Sequence, residues 1–112
     1  MSTRKARGYE TQKLVAQALA EVWPYATSAG AGRQGSDVLG VPFDVEVKAR
    51  RGLVIPELMA QLRARSQDGI LGVGVLRLDG QGPASLNDWP AIFRLEDAIH
   101  LLSIKYGSRN EL

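Results

Sequence analysis

The segment Phe43-Asp44-Val45-Glu46-Val47-Lys48-Ala49 holds the densest chemistry in the chain. Apolar and polar residues alternate strictly along it, and a β-strand sends successive side chains to opposite faces. Asp44, Glu46 and Lys48 therefore share one face, while Phe43, Val45, Val47 and Ala49 share the other. Asp37 lies on the stretch before, across the tight turn Gly40-Val41-Pro42. Antiparallel pairing about that turn brings Asp37 next to Glu46. Two converging carboxylates form an oxygen-rich pocket for a hard divalent cation. Lys48 points to the same side, where it can position an attacking water or offset charge developing on phosphorus. Cation, carboxylates and lysine together are the apparatus of phosphodiester hydrolysis. The plainer alternative is a hairpin whose acidic face meets solvent. Asp44 is expected towards the turn, outside the pocket.

The rest of the composition narrows the metal. The chain has no cysteine and a single histidine, His100. Thiolate zinc sites and disulfides are excluded, and a histidine-rich site within one chain is not available. Oxygen ligands favour magnesium (Mg2+), manganese (Mn2+) or calcium. Apolar runs are too short to span a bilayer, and no apolar stretch follows the basic start Arg4-Lys5-Ala6-Arg7, so the expectation is a cytoplasmic protein with no membrane partner. The net charge of +2 and pI near 9.2 suit a polyanionic partner without requiring one. Basic residues group at Arg4, Lys5 and Arg7, at Arg50 and Arg51, at Arg63 and Arg65, and at Lys105 and Arg109.

The elements that must position these groups can be read from periodicity. The 112 residues have the length of one domain, with 45% hydrophobic residues to fill a core. Gly8 to Trp23 reads as a helix with the stripe Leu14, Val15, Ala18, Leu19 and Val22, ended by Pro24. Glu10 flanks that stripe. Short strands are expected at Ala26 to Ser28 and Ser36 to Leu39, separated by the glycine-rich loop Ala29 to Gly35. With the motif strand Phe43 to Ala49 they should form a three-stranded meander. Pro56 opens a second helix running to about Ser66, with Ile55, Leu58, Met59 and Leu62 inward and Gln61 and Arg65 one turn apart on a neighbouring face. Ile70 to Leu78 reads as a buried strand in which Gly72 and Gly74 let another element approach. A polar loop or hairpin from Asp79 to Asp88, a strand Ala91 to Leu95 and a short helix Glu96 to Ile104 complete the order, the last with Ala98, Leu101 and Leu102 inside. This is a mixed α/β domain with helices on a central sheet.

Gly35-Ser36-Asp37 followed by Glu46-Val47-Lys48 resembles the bipartite signature of the PD-(D/E)xK nuclease superfamily. With Gly8-Tyr9-Glu10 opening the first helix, the glycine-rich loop, and Ala49-Arg50 after the lysine, the first two thirds of the chain look like the archaeal-type and phage Holliday junction resolvases. One position departs: Ser36 stands where the signature has proline. The resemblance implies a restriction-endonuclease-like αβββαβ core across a single nuclease domain, residues 1–112. It implies magnesium, or manganese in its place, on Asp37, Glu46 and the Val47 carbonyl, with Glu10 completing the shell and Lys48 as the catalytic lysine. It implies a homodimer cutting four-way DNA junctions symmetrically. Ser28 or Ser36 would match a loop serine that contacts DNA, and Gln61 lies where relatives sometimes place a glutamine.

Other positions suit phosphate contacts on their own chemistry. Arg33 sits in the glycine-rich loop, Arg50 and Arg51 follow the motif strand, and Arg7 opens the first helix. Each has the alternative of a solvated arginine, and Glu10 in a first helical turn is favoured by the helix dipole alone. The function expected is a magnesium-dependent, structure-selective DNA endonuclease acting on branched DNA. Rival readings are a nuclease of the same superfamily acting on duplex, flap or single-stranded DNA, a DNA-binding subunit without catalysis, and an interaction domain with a solvated acidic strand.

Overall fold

The computed structural model describes residues 3–30, 35–49 and 55–107. In chain order these form α1 (Thr3–Ala20), β1 (Thr27–Ser28), β2 (Val38–Leu39), β3 (Asp44–Lys48), α2 (Ile55–Gln67), β4 (Gly72–Leu76), a 3-10 turn (Pro83–Asp88), β5 (Ala91–Ile92) and α3 (Leu95–Tyr106). The architecture is mixed α/β, with α1 and α2 set against small sheets. None of its described helices is long and apolar enough to cross a membrane.

Two sheets stand where one meander is expected. β1 pairs antiparallel with β2, and β3 pairs parallel with β4, which pairs antiparallel with β5. The reason lies in the residues before β2. Ser36 and Asp37 answer β3 with side chains as well as backbone: Val45 N–H donates to Ser36 Oγ at 2.9 Å and Val47 N–H donates to Asp37 Oδ2 at 2.8 Å. The Asp37 N–H still donates to the Val45 carbonyl at 2.8 Å. The hairpin is therefore joined, but two of its bonds are not ladder bonds, and β2 shrinks accordingly. Its turn depends on Gly40, whose φ is +82° and where a Cβ would lie 2.1 Å from the Tyr25 carbonyl oxygen.

The core has two parts. Val15 and Ala16 of α1, Val38, Val45 and Trp89 are buried together, with Leu14, Leu19, Phe43 and Val47 packed on them. Leu58 and Leu62 of α2 and Leu76 of β4 form the other cluster. Gly72 and Gly74 admit α2 onto β4: a Cβ at Gly74 would meet Leu58 Cδ2 at 2.6 Å, and one at Gly72 would meet Leu62 Cδ2 at 3.0 Å.

Several boundaries differ from the periodicity. The first helix ends at Ala20, because the residue before Pro24 is driven out of helical geometry and the chain turns ahead of it. Val22 is consequently exposed instead of lying in the stripe, while Trp23 packs edge-on against Phe43 at 4.9 Å. β5 stops at Ile92, since β4 offers pairing partners only at Gly74 and Val75, and the Arg94 carbonyl already accepts the first bond of α3, from Ala98 N–H. Leu102, expected inside, faces outward. The stretch from Pro83 to Asp88 is helical and carries no hairpin.

Candidate active site

Strand β3 turns its two edges to different partners. Asp44 N–H donates to the Leu71 carbonyl, and the Lys48 carbonyl accepts from Arg77 N–H, so the even-numbered residues bond β4. Val45 and Val47 direct their backbone to the Asp37 edge. The Val47 carbonyl is thus set on the same edge as the Asp37 carboxylate, the placement a backbone ligand requires.

The side chains of β3 are not a solvated face. Asp44 and Glu46 are 7% and 6% exposed. Burial without a matching cation pushes the Glu46 carboxyl up from 4.5 to about 7, and the neighbouring charges of Asp37 and then Asp44 push it the same way. Lys48 and Arg65 oppose this only in part. Burial likewise raises Asp37, against the pull of its Val47 hydrogen bond and of Lys48. Asp44 is raised by burial and held back mainly by Arg65. All three carboxyls are thus raised chiefly by burial, with Lys48 and Arg65 offsetting part of it.

Helix α2 covers this row in reverse order. Lys48 Nζ lies 3.9 Å from Glu57 Oε1, and Arg65 Nε lies 2.9 Å from Asp44 Oδ2. Four helical residues and two strand residues both advance the chain by about 6 Å. Gln61, midway between Glu57 and Arg65, is therefore in register with Glu46. Its Oε1 and the Oδ1 of Asp44 are both buried with no hydrogen-bond partner among the described residues. Asp44 thus belongs to the site, contrary to its expected place outside. Arg65 was not singled out for a role; the signal for it was the spacing Glu57, Gln61, Arg65 set against Lys48, Glu46, Asp44, with charges opposite at both ends.

The structure sets Asp37 and Lys48 close enough to act on the charge of Glu46, and it pairs Glu10 with Arg77. Glu10 Oε1 accepts from Arg77 Nη1 at 3.1 Å. Arg77 is buried, lies over the Trp89 ring and also donates to Thr11 Oγ1, so it needs a counter-charge, and Glu10 supplies it. Among the described residues no three His, Cys, Asp or Glu side chains group closely enough to hold a metal ion, so a shell of three carboxylates is not formed. Magnesium does not demand one: it retains several waters and is commonly held by one or two carboxylates. Asp37, Glu46 and the Val47 carbonyl fit that requirement in donor chemistry.

The expected DNA contacts divide. Ser36 is committed to the hairpin, donating to the Val38 carbonyl at 2.8 Å and accepting from Val45 N–H, and it does not face outward to a ligand. Ser28 lines a shallow cleft with Lys13 and Gln17 of α1. Arg7 Nη2 reaches the Leu78 carbonyl at 3.3 Å on the surface. Arg33, Arg50 and Arg51 lie outside the described residues. Comparison with protein-family models, with curated proteins and with solved structures found no match.

Proposed function

We propose that this chain is a magnesium-dependent DNA endonuclease of restriction-endonuclease-like fold, and that its preferred substrate is branched DNA, a four-way junction first among them. The observation that carries the reading is the meeting of half-buried Asp37 with buried Glu46, both raised, with Lys48 on the same strand face as Glu46. The sequence resemblance set out above points the same way.

Asp37, Glu46 and the Val47 carbonyl would hold the ion. Magnesium, when bound, polarises a phosphate oxygen and makes water a stronger nucleophile. The chain's own residues do the rest. Asp37 is fixed by Val47 N–H, so one carboxylate oxygen is oriented before any ligand arrives. Glu46 is poised to release its proton near neutral pH. Lys48 presents an ammonium beside both carboxylates, where it offsets the charge that develops as the phosphodiester bond is attacked. Arg65 holds Asp44, keeping a third carboxylate from competing for the same space.

The test is cleavage of a labelled four-way junction and a matched linear duplex with magnesium, comparing the parent with Asp37→Asn and Lys48→Ala. Paired symmetric cuts in the junction alone, lost in both variants, support a resolvase. Cutting of duplex as well keeps the nuclease and removes the junction preference. No cutting with magnesium or manganese overturns the catalytic reading in favour of a DNA-binding module.

A further inference from the structure

Four polar side chains gather between α1 and β1. Lys13, Ala16, Gln17 and Ala20 recur at helical spacing and share one side of α1. Thr27 and Ser28 stand opposite, and the two rows bound an open cleft of about 280 Å3. The Lys13 ammonium is kept on this side by the Tyr9 ring, with Nζ 4.9 Å from the ring centroid. Among the described residues no hydrogen bond or ion pair engages the side chain of Lys13, Gln17, Thr27 or Ser28. The cleft also adjoins the candidate active site. Ser28 pairs with Val38, and Ala29 N–H donates to the Asp37 carbonyl at 2.9 Å. Paired strands lie about 5 Å apart, so the strand that lines the cleft is the immediate neighbour of the segment that carries Asp37.

We propose that this cleft receives one unpaired nucleotide of a DNA strand, next to the phosphate that the Asp37 site attacks. Lys13 supplies one positive charge, which matches one phosphate. The Gln17 amide and the two hydroxyls each donate and accept. A phosphate only accepts, whereas a base edge presents donors and acceptors together, and glutamine can meet such an edge with two bonds. Ala16 and Ala20 offer methyl groups against which a ring face can rest. The C-terminal end of α1, at Ala20, carries partial negative charge. The phosphate therefore belongs at Lys13 and the base towards Gln17 and Ala20. The volume falls at the lower edge of small-molecule pockets, roughly 300–1,000 Å3, which suits one nucleotide and excludes a duplex. A paired duplex must break stacking to fill the cleft, while a branch point or bulge gives up a base at lower cost. The cleft thus favours irregular DNA without reading its sequence. The place beside the scissile phosphate rests on the nuclease reading above; the binding of a nucleotide does not.

Two titrations of the full chain test it. In the first, amide NMR spectra follow the addition of deoxynucleoside monophosphates into the millimolar range, with inorganic phosphate alongside. Shifts centred on Gln17, Thr27 and Ser28 are expected with nucleotide, and binding at least about fivefold weaker in Gln17→Ala and in Ala20→Leu, which fills the cleft without altering its charge. Circular dichroism checks that both variants keep the parent fold. No shift in the parent, or equal binding of inorganic phosphate, overturns the proposal. In the second, anisotropy compares a duplex carrying a one-nucleotide bulge with its perfect counterpart, in calcium so that no cutting intervenes. The bulge should bind about tenfold more tightly, and that preference should collapse in both variants. A free nucleotide that binds while the two duplexes bind alike overturns the DNA assignment in favour of a soluble nucleotide. Junction cleavage by a parent indifferent to the bulge removes the cleft and leaves the nuclease. A bulge preference in a protein that cuts nothing with magnesium removes the nuclease and leaves the cleft.

Discussion

Asp37 serves β3 through both its amide and its carboxylate, and the two uses can be separated by substitution. Asparagine keeps an acceptor for Val47 N–H but removes the charge that raises Glu46. Asp37→Asn should therefore fold at least as stably as the parent without metal, while losing any stabilisation by magnesium. Asp37→Ala also orphans Val47 N–H and should cost about 1–3 kcal/mol in urea unfolding. Equal loss in both variants would mean that the hydrogen bond contributes nothing. At this scale the motif was legible, because alternation on one strand puts Glu46 and Lys48 together and a short turn returns Asp37 to them. The role of Asp44 was not. Its place beside the turn suggested a position outside the pocket, and only the lie of α2, with Arg65 reaching back, covers it. The pairing of Glu10 with Arg77 was hidden for a related reason: the two are 67 residues apart in the chain, and no local pattern reveals it.

Helix α2 is where packing sets chemistry. Its distance from β4 is fixed by the absence of side chains at Gly72 and Gly74, and its polar face then lies over the row from Asp44 to Lys48. Gly74→Val would press on Leu58 and lift the helix. We expect about 1–3 kcal/mol of destabilisation, and a larger proportional fall in magnesium-dependent cleavage than in overall stability. Unchanged cleavage at a lowered melting temperature would show that the site tolerates the displacement. The order of elements was readable from periodicity and breakers. The split of the strands was not, because it arises from Ser36 and Asp37 competing with backbone for the amides of Val45 and Val47, which strand propensity does not describe. The outward turn of Leu102 was missed because a periodic pattern states which residues share a face and not whether anything covers it.

For the molecule as a whole, the raised carboxyls make stability depend on pH. Glu46 binds its proton more tightly folded, at about 7, than unfolded, at 4.5. Its contribution is full below the unfolded value and is lost as pH rises through about 7, on the order of 3 kcal/mol. Asp37 and Asp44, also raised, act in the same direction. The metal-free protein should therefore be more stable near pH 5 than near pH 8, with Glu46→Gln flattening the profile. Magnesium, competing with the proton, should stabilise more at pH 8 than at pH 5.5. Thermal melts across this range would check it, and a parent that gains stability steadily towards pH 8 without metal would contradict the assigned burial of the site.

The Val47 amide is bonded to a side-chain oxygen instead of to a neighbouring strand. Its hydrogen exchange then reports how firmly one carboxylate is held, separately from the opening of the sheet. Slower exchange at Val47 on adding magnesium, with Val45 little changed, would let the empty and loaded states be told apart in solution without DNA and without turnover. Backbone dynamics at a single residue would become a gauge of ion occupancy.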